Sequence, residues 1–383
     1  MIYSRSRIRS RFLLRLCAFI FALLGCGLLP QSRAQNLDKP LQNIDEDITT
    51  FEFAPDGRIV YSVRRTFKVK KYEGQHDDIW LMEAGGKRRR LLQAEKFSIG
   101  TTPFSYAVDS FRWSPSGHLI LARLLVAAEG DDSGRQQNSY MTLVLDDSGH
   151  EIHLGKGDAF IKDALNAIWL QDSSTIVYMI EALEPRSLFS FKYSNVATGP
   201  AGMVFEGRTF LAAEPIAHTN SAIAVEQDRA RAGPPRLQRL DLLAQDDKEL
   251  ATLDGYEGGL CISPSGKKAA YFVDREVLEI RDLVNPTRIA RLRVGLGVLR
   301  WSPDESRIFL KRATEKKSAD LVAIDTPQLV TPIAGQEIPV MQPTPQPLLH
   351  GITIREFEIS SDSRFLAVEL PGKHNLLVFP FTY

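Results

Sequence analysis

Seven copies of one strand–turn–strand pattern, spaced by a mean of about 51 residues, and four strand-like segments in the units parsed fully predict an all-β protein. The specific expectation is a seven-bladed β-propeller of four-stranded antiparallel blades, with the ring closed by the N-terminal strand. Four copies are well formed: Phe53-Ala54-Pro55-Asp56-Gly57, Trp113-Ser114-Pro115-Ser116-Gly117, Ile262-Ser263-Pro264-Ser265-Gly266 and Trp301-Ser302-Pro303-Asp304-Glu305. Three are degenerate: Trp169-Leu170-Gln171-Asp172-Ser173, Ile216-Ala217-His218-Thr219-Asn220 and Ile359-Ser360-Ser361-Asp362-Ser363. A length of 383 residues suggests two or three domains, but a repeat of this period overrides that prior. Residues 35–383 are therefore expected to form one propeller domain, with blade turns near 55, 115, 171, 218, 264, 303 and 361.

Turn chemistry accounts for the pattern. Proline supplies the fixed φ of the second turn position, and Asp or Ser suits the third. Glycine takes the left-handed conformation that rejoins the strand. Asn220 is the expected left-handed residue of the fourth copy, and Glu305 suits that place so poorly that a different turn is expected there. The first unit parses into strands at 49–53, 58–64, 78–83 and 88–93, with a turn at Ala84-Gly85-Gly86-Lys87. The fifth gives 257–262, 268–273, 276–282 and 287–292. The seventh offers only 353–359, 364–370 and 375–381 before the chain ends, while residues 37–46 have no partner. The N-terminal segment is expected to supply the missing strand and so protect the sheet edges.

The first 34 residues have the three parts of a secretory signal: Arg5, Arg7, Arg9 and Arg11, an apolar run from Leu16 to Leu29, and Ser32-Arg33-Ala34. Cleavage after Ala34 leaves a soluble protein starting at Gln35. Alternatively, Leu23-Leu24-Gly25-Cys26 resembles a bacterial lipobox, with Cys26 as an acylated N-terminus. After cleavage at Ala34 no transmembrane span is expected. Residues 35–383 carry 41 basic and 47 acidic side chains. That acidic excess argues against nucleic acid as a partner, because such binding needs cationic surface. Cys261, the lone cysteine of the body, lies between Leu260 and Ile262 and reads as a small buried hydrophobe.

The Ser/Ala-Pro-Asp/Ser-Gly turns, with Asp78-Ile79-Trp80-Leu81-Met82-Glu83-Ala84-Gly85-Gly86, resemble the WD-repeat-like propeller units of the TolB family. The propellers of dipeptidyl-peptidase-class enzymes are built from similar units. The resemblance covers nearly all of residues 37–383 and implies the fold, since the shared residues are structural. The TolB family has a separate N-terminal α/β domain and six blades; this chain has seven turn copies and no room for that domain. Nor does a hydrolase domain follow the propeller, and no Gly-x-Ser-x-Gly elbow occurs.

No catalytic, cofactor-binding or metal-ligating constellation stands out. Trp113, Trp169 and Trp301 share one repeat position and are expected to pack between blades. His150 and His153 point to opposite faces of a strand, which argues against a shared metal. Asp131-Asp132, Asp146-Asp147 and Asp246-Asp247 lie beside turns without the spacing of a calcium loop. Gly86-Lys87 and Gly266-Lys267 lack the rest of a phosphate loop. Lys87-Arg88-Arg89-Arg90 reads as an outer-edge strand guarded by charge, or more sharply as a site for an anionic envelope component. Function is expected in the loops at 127–139, 228–236 and the proline-rich 333–351. The expected role is a non-enzymatic, exported platform in the bacterial periplasm or envelope that binds another envelope protein. The alternative is a small-molecule, glycan or hydrolytic site in the central channel, with Asp109 and Glu257 as the residues to inspect first.

Overall fold

A computed structural model describes residues 39–381, except 70–71, 94–104, 129–136, 153–159, 163, 182–188, 196–201, 206, 228–232, 314–318, 334, 350–352 and 373. The expected leader, residues 1–34, lies outside the described residues. Among the described residues there is no helix, and the strands form six hydrogen-bonded sheets in a propeller arrangement. The first sheet holds Ile48–Phe53, Ile59–Val69, Tyr72–Met82 and Arg88–Leu92, each antiparallel to the next. Ser105–Trp113, Leu119–Ala128, Gln137–Asp146 and Phe160–Lys162 repeat that order in the second. An eight-stranded sheet then spans Ala164–Trp169 to Asp246–Thr252; its two halves are joined through the single pair Phe189↔Phe210. In the last sheet Glu356–Ile359, Phe365–Glu369 and Leu376–Pro380 are followed by Gln42–Ile44, with Gln42 opposite Val378 and Ile44 opposite Leu376.

The turns explain why the strands begin and end where they do. Gly57, Gly117 and Gly266 have φ of 86°, 73° and 69°, and each donates its N–H to the carbonyl three residues back. The serine that opens the turn has its own task. Ser114, Ser263, Ser302 and Ser360 are buried, and each Oγ accepts the N–H of the residue five positions on, which starts the next strand.

Two turn expectations are corrected. Glu305 occupies the same turn as its glycine counterparts, at φ 58°, with its N–H on the Ser302 carbonyl. Its carboxylate compensates for the awkward backbone by taking the Ser265 N–H at 2.7 Å and meeting Lys268 Nζ at 3.2 Å on the neighbouring sheet. Burial alone would raise its pKa, but these hydrogen bonds from Ser265 and neighbouring groups outweigh burial and lower it. In the fourth copy the frame moves by one residue. Pro215 pairs with Ala222 as Trp169 pairs with Ile176, and the left-handed residue is His218, at φ 59°, rather than Asn220. Asn220 instead accepts the Gln171 N–H with its side chain.

The first hairpin is longer than its apolar pattern suggests, because its outer half is polar. Val63↔Asp78 through Val69↔Tyr72 continue the ladder. Asp77 is fully buried there, and its charge is met by Arg64, Thr49 Oγ1 and the Val108 N–H.

Apolar side chains fill the spaces between sheets. Val60, Ile79 and Leu81 meet Tyr106, Val108 and Trp113, while Phe309 and Leu321 meet Phe357, Leu366 and Phe379. The three tryptophans sit at these seams, as their shared repeat position predicts. Trp113 Nε1 donates to Glu52 O (3.4 Å), Trp169 to Arg112 O (3.1 Å) and Trp301 to Cys261 O (3.1 Å), each reaching the sheet before its own. The proline-rich segment is a strap: Val340–Met341 runs parallel to Ile289–Arg293, and Gln346–Pro347 pairs with Ala319–Asp325 of the next sheet. The basic run is spent in ion pairs, Arg88 with Glu46 (3.0 Å), Arg89 with Glu83 (3.5 Å) and Arg90 with Asp78 (3.4 Å). That pairing favours the edge-guard reading over a free anion patch.

Candidate functional site

In each repeat the residue just before the inner-strand terminus lies on the opposite side of the strand from the leading apolar residue, because successive side chains alternate. With the fourth frame corrected, the seven positions are Glu52, Arg112, Ile168, Glu214, Cys261, Arg300 and Glu358. Their charges feel one another across the ring: Arg112 is acted on by Glu214, Glu52 and Glu358, which stand on three different inner strands. Arg112 is exposed to water yet surrounded by protein, as a side chain in a channel should be.

Above this ring lies a cavity of about 390 Å3. Its floor includes Glu52, Arg112, Ile168 and Glu358, and its rim is made by the repeat turns, among them Pro55, Pro115, Gln171 and His218. Hydrogen bonds from turn to turn hold the rim. Ser361 Oγ donates to Pro55 O (3.0 Å), Arg58 Nη2 to Gly117 O (2.6 Å), the Ser116 N–H to Ser173 Oγ (3.0 Å) and the Gln171 N–H to Asn220 Oδ1 (3.2 Å). Phe53, Trp113, Trp169 and Ile359 give the walls an apolar character.

The carboxyls of the ring are hard to ionise. Burial, then the neighbouring Glu358, pushes Glu52 well above the usual carboxylate range, against the pull of Arg112 and Arg300. Burial likewise lifts Glu358 to about 7 despite Arg300 and Arg112, and raises Glu214. Burial also lifts the Cys261 thiol to about 11, so it stays protonated and is a poor nucleophile at neutral pH. A carboxyl whose folded pKa exceeds its unfolded value stabilises the fold below the unfolded pKa, and that contribution is lost as pH rises through the folded one. Stability due to Glu358 should therefore fall between about pH 4.5 and 7. Glu358→Gln is expected to raise the melting temperature at pH 8 by roughly 1–3 °C relative to its effect at pH 5. Equal shifts at both pH values in thermal scans would show that this carboxyl ionises freely.

The sequence-derived candidates lie elsewhere. Asp109 sits at a register shift and pairs with Arg123 at 3.1 Å, and Glu257 is exposed just before strand Gly258–Ile262. Neither belongs to the ring. Cys261 is half-buried and packs against the apolar cluster of Ala270, Leu299 and Trp301, close to its expected place as a small apolar residue. His150 is exposed beside Asp146, and His153 lies outside the described residues. Residues 129–136 and 228–232 of the two other candidate loops also lie outside them. No cluster of three or more His, Cys, Asp or Glu with metal-binding geometry occurs among the described residues. Glu52, Arg112, Glu214, Arg300 and Glu358 were missed, although one signal pointed to them. Charged residues recur at the position before the leading apolar residue, and reading the repeats as a column exposes them.

No family model and no curated protein matches the chain. Among solved structures, a chain of "Crystal Structure of Mitotic Checkpoint Complex" is similar over 93% of this chain and 95% of that one, with a TM-score of 0.55 and 12% identity. At that identity the likeness speaks to fold alone, and together with the sheet arrangement it shows that this chain is a β-propeller of WD-repeat-like architecture.

Proposed function

We propose that this chain is an exported, non-enzymatic propeller of the bacterial envelope that serves as a protein-interaction platform, docking its partner on the turn face. The observation that carries the reading is the apolar-walled cavity of about 390 Å3 framed by hydrogen-bonded turns at the mouth of the channel. A concave, pre-formed site of this kind suits a protruding segment of a partner. The similar solved structure is titled as a complex, which agrees with an assembly role.

Seven blades is the count we favour. The halves of the eight-stranded sheet share one register pair, and their side chains pack face to face, Ile168 and Val177 in one cluster with Ala222 and Leu240. The pairing of Gln42–Ile44 with the last sheet supports closure of the ring by the N-terminal strand. The TolB-type units and the charged, then apolar, leader support the envelope assignment.

The test uses one introduced cysteine at a time in the full chain carrying Cys261→Ala. Gln171→Cys marks the turn face. Arg275→Cys marks the opposite end of the sheets, in the hairpin between Lys268–Phe272 and Val277–Asp282. Crosslinking in intact cells should capture one envelope protein from position 171 and not from 275. Capture of the same proteins from both positions would defeat the docking assignment. The intact mass of the mature protein decides between a start at Gln35 and a lipid-bearing start at Cys26.

A further inference from the structure

Arg112 differs from the arginines of this protein that hold carboxylates. Arg58, Arg64, Arg208, Arg281 and Arg291 each grip a carboxylate, at 2.5–3.1 Å. Among the described residues the Arg112 guanidinium makes no hydrogen bond and has no carboxylate at ion-pair distance. Arg300 donates only to the carbonyl of Leu299, at 2.9 Å. Beside Arg112, Glu52 Oε2 is buried and also lacks a partner. A water-exposed guanidinium without a protein partner and a buried, unpartnered carboxyl oxygen thus line one cavity, and it is the buried oxygen that is costly to leave unsatisfied.

We propose that this floor binds a carboxylate carried on an apolar stem, with the Arg112 guanidinium taking both oxygens and the stem lying against Trp113, Trp169 and Ile359. The planar fork of arginine matches a carboxylate and stays charged at all relevant pH values. The two glutamates at the floor can adapt by holding protons, and a protonated Glu52 donates a hydrogen bond to the ligand. A cationic ligand has no such accommodation, since Arg112 is a permanent cation in the lining and the two glutamates that could oppose it lose their charge when they hold protons. Glu52 faces Glu358, Arg112 and Arg300, and Glu358 also faces Glu356, whose carboxylate is held by Lys311 at 3.0 Å. Binding should therefore take up a proton. The inference goes beyond the platform reading, because a partner can dock on the rim without using the floor.

The experiment is titration calorimetry on the full mature chain with hexanoate, hexanamide and hexylammonium, at pH 6 and pH 8 and in two buffers of different ionisation enthalpy. Hexanoate should bind and the other two should not. Proton uptake should be small at pH 6, where these carboxyls already hold protons, and clearly larger at pH 8, and affinity should drop roughly tenfold between the two. Arg112→Gln should lower hexanoate affinity at least about tenfold. Glu52→Gln, which keeps a neutral donor, should bind hexanoate with much less pH dependence. A parallel arm compares a peptide ending in leucine carboxylate with its C-terminal amide. Preference for the acid peptide over hexanoate identifies a partner's terminus as the source, and preference for hexanoate a free acid. Preferential binding of hexylammonium, proton release, no binding of any acid, or wild-type affinity in Arg112→Gln would each overturn the proposal. Should Arg112→Gln fail to fold, the comparison of acid with amide on the unaltered chain still decides.

Discussion

Removal of residues 35–47 should lower the melting temperature by about 5 °C or more and make the protein prone to aggregate. Gln42–Ile44 pairs along Leu376–Val378, and the Leu41 N–H adds a bond to Val378 O at 2.8 Å. Ile44 is buried with Ile48, Phe51, Leu376 and Val378 between the last and first sheets. Glu46 clamps Arg65 at 2.6 Å and Arg88 at 3.0 Å. Burial of one isoleucine contributes about 2 kcal/mol, and a handful of ladder bonds add about 1 kcal/mol each. Their loss also leaves the apolar strand Leu376–Pro380 as a bare edge. Scanning calorimetry of the truncated and intact chains measures the effect. A fall below about 2 °C would mean that the N-terminal strand adds little to the ring.

Trp301→Ala is the second large effect, a loss of about 3–5 kcal/mol. The indole is buried in the cluster that joins Ala270, Leu278 and Ile280 to Leu299, Ile308 and Leu310, so its removal opens a cavity between two sheets. It also ends the hydrogen bond to Cys261 O, and Lys268 Nζ loses the ring it covers at 5.8 Å. Trp301→Phe keeps most of the volume but not the N–H, so its cost should lie well below that of alanine. Urea unfolding of both variants provides the comparison. Equal midpoints for Phe and Ala would assign the effect to the hydrogen bond instead of the packing.

The turns were legible because their causes are local. Proline at 55, 115, 264 and 303 and glycine at 57, 117 and 266 act through their own φ, whatever the rest of the chain does. Departures arose where a distant partner supplied the energy. Glu305 accepts a left-handed backbone because Ser265 and Lys268 reward its carboxylate from the next sheet. The strand at Tyr72–Met82 extends through polar residues because Arg64, Thr49 and Val108 satisfy Asp77. Hydrophobic alternation carries no trace of such compensation.

The floor of the channel shows the same division. The repeat, read from the sequence, already predicts a propeller and places the three tryptophans at seams between sheets. Only the tertiary structure assembles Glu52, Arg112, Glu214, Arg300 and Glu358, residues 58 to 102 positions apart between successive members, around one axis. Strand and turn preferences are set by each residue's own backbone, so they can be read along the chain. A carboxyl held near pH 7 or a guanidinium left unpaired depends on dielectric and charge at a point where distant strands converge.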